Sequence, residues 1–328
     1  MSGAVRRRLD AGRWHFQHGP IDCILGADAA ADDAGADAFA DAHAHASADA
    51  VEAGFERAWM RFGGLLDELV GELPLLRADL AAAGATAIAP AGSVARRMVD
   101  ACRPHARGGR FITAMAAVAG SVADELIGAF ADPRIVRAYV NDGGDIALHL
   151  RPGAFFDIGL FTDPAHGLSR LAPDGRLRIG AGSPVRGVAT SGWRGRSLSL
   201  GIADSVTVLA PTAAAADAAA TVIANAVDVD DRRIERRPAD AVRDDSDLGR
   251  RLVTCAVPVL ADAQVAAALA AGVAVARAER ASGRIMAAVL ALQGRFAIVG
   301  DVGGGSPAIA PVLPASLHAV PARSLAPC

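Results

Sequence analysis

The chain contains no lysine: all 33 of its basic residues are arginine. Lysine Schiff bases and a phosphate-binding P-loop lysine are thereby excluded. Any phosphate recognition falls to arginine, backbone amides or a metal. Cysteine is also scarce. Cys23, Cys102, Cys255 and Cys328 lie far apart and form no CxxC pattern. That argues against a zinc site or a disulfide framework and fits reduced thiols in a cytoplasmic protein. Arg6, Arg7 and Arg8 are not followed by an apolar stretch, because Asp10, Arg13 and His15 intervene. No run is apolar enough to span a membrane, and the most apolar helix is interrupted by Asp217. A net charge of −3 gives no reason to expect nucleic acid or an anionic membrane as a partner.

What remains is a globular chain. Hydrophobic residues make up 52% of its 328 positions, enough to bury a sizeable core in one large domain or two. The wealth of Ala, Arg and Gly matches a GC-rich genome, so alanine-rich helices are weak functional signals. Residues 13–27 read as a strand or hairpin turning at Gly19-Pro20. Residues 28–46, rich in Ala, Asp and His, read as a solvated insertion in which His43 and His45 are the only ligand-type side chains of note. Residues 47–73 give the clearest helix. Its apolar stripe runs through Val51, Phe55, Trp59, Phe62, Leu66, Leu69, Val70 and Leu73, and Pro74 stops it.

Shorter helices are expected over 91–103 and about 114–130, the second with small residues before Asp124 and Glu125. Those small residues allow close approach to a sheet or to a flat ligand. Strands are expected at 134–139, 145–150 and 155–160, a hairpin near Asp174-Gly175, and a solvated Asp/Arg connection over 228–250. The last unit reads strand 252–259, helix 262–281, strand 285–292, turn Gln293-Gly294 and strand 295–299. The tail 302–328 reads as loosely ordered. Hairpins outnumber strict βαβ units, so the fold class is α+β with largely antiparallel sheets.

The stretch Gly187–Thr221 organises the rest. A small-residue turn, Ala189-Thr190-Ser191-Gly192, precedes an alternating run through Leu198, Leu200 and Ile202 that reads as a strand. The β-branched run 205–210, bounded by Pro211, reads as a buried strand. A nearly pure alanine helix follows, carrying Asp217 and Thr221 at i and i+4. That spacing sets a carboxylate and a hydroxyl on one helical face, an oxygen pair that suits Mg2+. Upstream, Asn141-Asp142-Gly143-Gly144-Asp145 is a strong turn signal between two strand-like runs.

The order NDGGDI, ATSG, ADAAAT resembles the ApbE superfamily, whose members bind FAD, require Mg2+ and in many cases transfer FMN to a threonine of a target protein. The runs FITAMAAVAGSVADEL (111–126), AYVNDGGDIALHL (138–150) and GVATSGWRGRSLSLGIADSVTVLA (187–210) are similar to its uncharacterised UPF0280 branch, over roughly residues 15–300. The resemblance implies a single ApbE-like (T-fold-like) domain over 1–302, built of two abutting lobes with the ligand between them, and a tail over 303–328. It implies FAD or a related pyrophosphate ligand near Asn141, Asp142, Gly143, Gly144 and Asp145 and near Ala189, Thr190, Ser191 and Gly192, with Mg2+ on Asp217 and Thr221.

Arg194 and Arg196 add charge beside the expected phosphates. The transferases carry a segment resembling H-x-I-D-P-x-T-G after ATSG. Here WRGRSLSLGIADS has neither histidine nor proline, and Asp204 is its sole candidate base, which argues against flavin transfer. The lysine found before a glycine in typical transferases is also missing. Nor is the chain a flavinylation target of the D-x-x-[ST]-G-A-T type. Gly84-Ala85-Thr86 ends the motif correctly, but Leu80 and Ala83 replace the aspartate and the hydroxyl residue. A nucleotide-type small molecule is the expected partner, and a homodimer is compatible with the sequence. Two other readings are open: cofactor biosynthesis on a different phosphorylated or pterin-like ligand, and a non-catalytic nucleotide-binding module.

Overall fold

The structure is a computed structural model that describes residues 3–10, 12–29, 38–82, 89–160 and 175–300. Residues 83–88, the 161–174 part of the expected hairpin, the tail, Cys328 and the side chains of His43 and His45 lie outside the described residues. Among the described residues, the fold is a nine-stranded, wholly antiparallel sheet with helices packed on one face. Its order is β1 (Val5–Arg8), β2 (Trp14–His18), β3 (Ile21–Ala29), β4 (Ile135–Asp142), β5 (Asp145–Leu150), β8 (Gly187–Ser191), β9 (Ser205–Ala210), β12 (Ala287–Leu292) and β13 (Arg295–Val299). The α+β expectation holds. Hairpin turns set most of the registers. Gln293 and Gly294 both take positive φ, 46° and 76°, as a two-residue turn between right-twisted strands requires.

Four helices cover the sheet face in chain order. α1 (Ala38–Gly71) packs on β2 and β3. After α2 (Leu73–Leu76) and α3 (Ser93–Cys102), α4 (Val118–Ile127) packs on β4 and β5. α5 (Ala213–Ala226) packs on β8 and β9. α6 (Ala239–Val242) is a single turn, and α7 (Asp262–Ala281) packs on β12 and β13. β6 (Phe155–Leu160) and β7 (Gly175–Gly180) pair with each other. The opposite sheet face is closed by a cluster that joins Leu177 and Ile179 of β7 to Leu148, Val188 and Leu209.

The apolar stripe of α1 supplies the core of the N-terminal half. Phe55, Phe62, Leu65, Leu66 and Leu69 are buried against Phe16, Leu25 and Phe130. Phe55 meets Phe130 edge-on at 5.2 Å. Val70 departs from the expectation: its side chain is 46% exposed, because the helix stripe has rotated past the sheet by that point. α1 also begins earlier than the sequence suggests, and residues 38–46 are helical rather than an irregular insertion.

Two further expectations are corrected. Residues 198–202 form no strand. Ser199 and Ile202 are buried, but the Ser199 hydroxyl and the Leu200 amide bond the Asn225 side chain, so the alternation reflects loop packing against the end of α5. The Asp/Arg connection 228–250 is also more structured than a solvated linker. β10 (Glu235–Pro238) pairs with β11 (Leu252–Ala256), and α6 follows β10.

One buried ion pair ties the last helix to the N-terminal half. Glu279 on α7 and His105 are 4% and 3% exposed, with His105 Nδ1 3.3 Å from the carboxylate. Burial pushes the Glu279 carboxyl up, but His105 and Arg284 outweigh it and hold it down at about 2.

Two stability outcomes follow from this packing. Phe55→Ala should cost about 3–5 kcal/mol in urea unfolding, since it empties a ring-sized volume at the centre of the core. A loss below about 1 kcal/mol would show the core to be elsewhere. Glu279 ionises more readily folded than unfolded, so its contribution is present above its unfolded value of 4.5 and is lost as pH falls towards about 2. The gap in unfolding free energy between Glu279→Gln and the parent should therefore be constant above about 4.5 and close as pH falls from there to about 2. A gap independent of pH would remove the ion-pair account.

Candidate functional site

The site is built where α4 and α5 cross above β4, β5 and β8. A Cβ on Gly120 would lie 2.4 Å from the Ala213 carbonyl oxygen, so only glycine lets α4 sit on the first turn of α5. Gly120, one of the small residues of 114–130, thus serves helix-to-helix contact, while α4 also packs on β4 and β5. Gly187 of β8 approaches the same turn from below, where a Cβ would fall 2.0 Å from the Thr212 carbonyl carbon. The α5 N-terminus is capped twice. The Thr212 hydroxyl accepts from the Ala215 amide at 3.2 Å, and Asp124 of α4 accepts from the Ala213 and Ala214 amides at 3.0 and 2.9 Å. Amide donors and the helix dipole favour a carboxylate there.

Asp217 follows one turn into α5. Its carboxylate accepts from the Gly120 amide at 3.0 Å. Two more carboxylates face it from the sheet. Asp142 and Asp145 are cross-strand partners at the β4–β5 turn, so both project to the helix face of the sheet. Asp142 accepts from the Asp22 amide at 3.2 Å, and Asp145 from the Thr190 amide at 3.3 Å. Each carboxylate is thus held by a backbone N–H from a different element: β3, β8 and α4. Asp145 and Asp217 keep some contact with solvent although protein atoms surround them densely, whereas Asp142 is only 5% exposed.

Burial is the largest cause of an upward shift in all three, and the Asp142 charge adds to it at the other two. Burial first, then Asp217 and Asp142, push Asp145 well above the carboxylate range. Burial, then Asp142 and Asp124, push Asp217 up to about 7. Burial pushes Asp142 to about 7 as well, against the Asp22 amide and the Arg196 charge. Arg196 is the cation that both Asp142 and Asp145 feel. Its guanidinium bonds the Pro20 carbonyl at 2.9 Å and lies over the turn glycine, 2.9 Å from where a Gly143 Cβ would stand. Gly143 and Gly144 take φ of 66° and 115°, and Asn141 closes the turn by accepting from the Gly144 amide at 2.8 Å.

A family profile described as AbpE bacteria matches residues 6–298. The chain belongs to that family. Curated relatives are UPF0280 proteins of methanogenic archaea. That of Methanopyrus kandleri is 39% identical over 142 residues, covering 43% of this chain and 52% of the relative. That of Methanocella arvoryzae is 32% identical over 168 residues, covering 51% and 63%. The chain therefore spans about half to two thirds of the length of these curated relatives. Among solved structures, the apo flavinyl transferase ApbE of Pseudomonas stutzeri aligns over 90% of this chain and 94% of its own, at 13% identity and a TM-score of 0.32.

Within this UPF0280-type, ApbE-like chain, the residues singled out in the sequence fall into two groups. Asn141, Asp142, Gly143, Gly144 and Asp145 make up the β4–β5 turn and its flanks, Arg196 lies over it, and Asp217 of α5 is close enough to interact with Asp142 and Asp145. Thr221 lies one turn beyond Asp217 on the same continuous helix. Ala189 and Gly192 are buried and Ser191 half-buried, while the exposed Thr190 lends its amide to Asp145 and its hydroxyl to Thr207, 2.9 Å away. Arg194 and Asp204 form the second group, turned towards the β12–β13 end. Arg194 stacks on Trp193 and reaches Asp204 at 3.7 Å. Asp204 accepts from Trp193 Nε1 on one oxygen, at 3.2 Å, and from the Gln293 amide on the other, at 2.6 Å. Among the described residues no three His, Cys, Asp or Glu side chains, Asp142, Asp145 and Asp217 included, are placed to hold one metal ion together. Mg2+ does not need three, because it commonly takes one or two carboxylates and completes its shell with water and phosphate oxygens.

Sequence reasoning missed Asp124 and Gly120, which cap and seat α5. The spacing of GSVAD offers a small residue and a carboxylate four apart on one helix face, but no sequence rule says that another helix begins there.

Asp142 ionises less readily folded than unfolded. Its effect is absent below the unfolded value of 3.8, and stability is lost as pH rises towards about 7. Asp142→Asn should keep the acceptor for the Asp22 amide and remove that loss. In EDTA the variant should gain on the order of a few kcal/mol over the parent at pH 8 relative to pH 4. An unchanged difference between the two pH values would refute the buried-carboxylate account.

Proposed function

We propose that this chain is an ApbE-like protein that binds FAD, or a related pyrophosphate-bridged nucleotide, together with Mg2+, and that it carries out negligible FMN transfer. The carrying observation is the set of Asp142, Asp145 and Asp217: three neighbouring carboxylates raised chiefly by burial, with Asp142 adding to the shift of the other two and Arg196 as the cation shared by Asp142 and Asp145. Such a set is relieved by a divalent cation, and the donors are the hard oxygens that Mg2+ prefers. Asp217 and Asp145 would hold the ion, with Thr221 on the same helix face. When bound, Mg2+ neutralises pyrophosphate charge. The glycine turn leaves room for a ligand backbone, and Arg196 lies over that turn as an anion donor.

Transfer needs a base to take the acceptor's proton, and such help is typically worth 10²–10⁴-fold. Within 193–205 Asp204 is the only titratable acid, and both its oxygens already serve the fold. This supports binding without transfer.

Titration of the protein with FAD should show binding that Mg2+ strengthens, and Asp217→Asn should weaken the Mg2+-dependent part at least about tenfold, as loss of one charged ligand to a hard cation does. FMN attachment to a peptide carrying the target motif should stay at background. Robust flavinylation would overturn the loss of transfer, and absence of any flavin or nucleotide binding would overturn the cleft assignment.

A further inference from the structure

The connection after α6 crosses the molecule. Residues 243–251 leave α6 and return to β11, and on the way they touch the segment that leads into α4 on one side of the candidate site and Arg196 on the other. On the first side, the Thr113 hydroxyl donates to the Asp247 carboxylate. Thr113 immediately precedes the 3-10 turn Ala114–Ala117 that leads into α4, the helix whose Gly120 amide holds Asp217. Beside it, the Arg251 guanidinium stacks on Phe111 at 3.3 Å from the ring centre and reaches Asp79 at 3.7 Å, and Arg77 reaches Asp245 at 3.5 Å. On the other side, Arg243 donates to the Arg196 carbonyl at 2.9 Å, and Arg196 is the residue whose side chain covers the Gly143 turn.

Most of these tethers are polar and at the surface, where ion pairs stabilise little. Arg243, Asp244, Asp245, Arg250 and Arg251 are exposed, and the segment offers few apolar side chains. Such a segment belongs to the low-stability end of a fold. Thr113 is different: it is 2% exposed, so its hydroxyl depends on Asp247 for a partner.

We propose that residues 243–251 are a strap that gates the cleft, latched by Asp247 through Thr113, so that Asp247 is a positioning residue for the candidate site. The proposal rests on the nucleotide reading of the cleft for its role as a gate, but not for the latch itself. Releasing Thr113 frees the strap on one side and loosens the turn that feeds α4. Arg243 then carries the other side alone.

The test uses the full chain and three variants: Asp247→Ala, Thr113→Val and the conservative Thr113→Ser. Hydrogen exchange followed by mass spectrometry should show 243–251 and 111–117 exchanging about tenfold or more faster in Asp247→Ala and Thr113→Val, with β9 and β12 unchanged and Thr113→Ser close to the parent. FAD association in the presence of Mg2+ should quicken by a similar factor in the first two variants only. Unchanged exchange in both variants overturns the latch. Faster exchange with unaltered FAD association overturns the gate, as does faster exchange spread evenly over the sheet, which would mark a merely structural pair. If the parent binds no FAD, the nucleotide reading falls, and the exchange pattern alone decides the latch.

Discussion

The first turn of α5 is the constraint on which the site depends. It is pressed from above by Gly120 and from below by Gly187, and both approaches are too close for any Cβ. At such distances the two backbones have one workable position, because overpacking by even one methyl forces shifts in a close-packed interior. Asp124 then bonds the two leading amides of the turn and satisfies donors that burial would otherwise leave unpaired. The placement of Asp217 is a consequence. It comes one turn later on a helix whose start is fixed in translation and rotation, and the Gly120 amide that excludes a side chain above the turn also binds its carboxylate.

The same geometry makes the cleft electrostatically costly. Asp142, Asp145 and Asp217 are each given one principal backbone donor, which is too little to offset burial, and all three are shifted upward. A structural role would be better served by asparagine or by a neutralising arginine. The chain has 33 arginines and uses them freely elsewhere, as at Glu125, which Arg61 and Arg97 together bring down despite its burial. Carboxylates left with Arg196 alone, which does not offset their burial, and set beside a glycine turn, are a pattern that stability alone does not explain.

Much of this was legible in the sequence, for physical reasons. The α1 stripe, α7 and the Gln293-Gly294 hairpin follow from periodicity and turn chemistry, which are local. The β4–β5 turn was legible because Asn141, Gly143 and Gly144 carry its conformational demands themselves. The run 198–202 misled because its alternating apolar residues do not alternate in burial: Leu198 and Leu200 are half-buried, Ser199 and 201–204 are buried, and the Asn225 side chain holds the loop. The role of Asp124 and the course of 243–251 were illegible for a similar reason. Both depend on contacts about ninety to one hundred and thirty positions away, and polar surface residues carry no periodic signal.

Arg194, Arg196 and Asp204 lie on one segment but serve different parts of the structure. Between β8 and β9 the chain must cross from the cleft to the β12–β13 end of the sheet, and its side chains divide along that path. Arg196 stays at the cleft, with its guanidinium on the Pro20 carbonyl and its own carbonyl held by Arg243. Eight residues on, Asp204 anchors the far end to Trp193 and the Gln293 amide. A carboxylate committed to two donors in that way is poorly placed to accept a proton from an incoming hydroxyl, whereas an arginine at the cleft rim can still hold a phosphate. The segment that might have supplied a base supplies an anion donor and a brace instead, which favours capture of a nucleotide over its transfer.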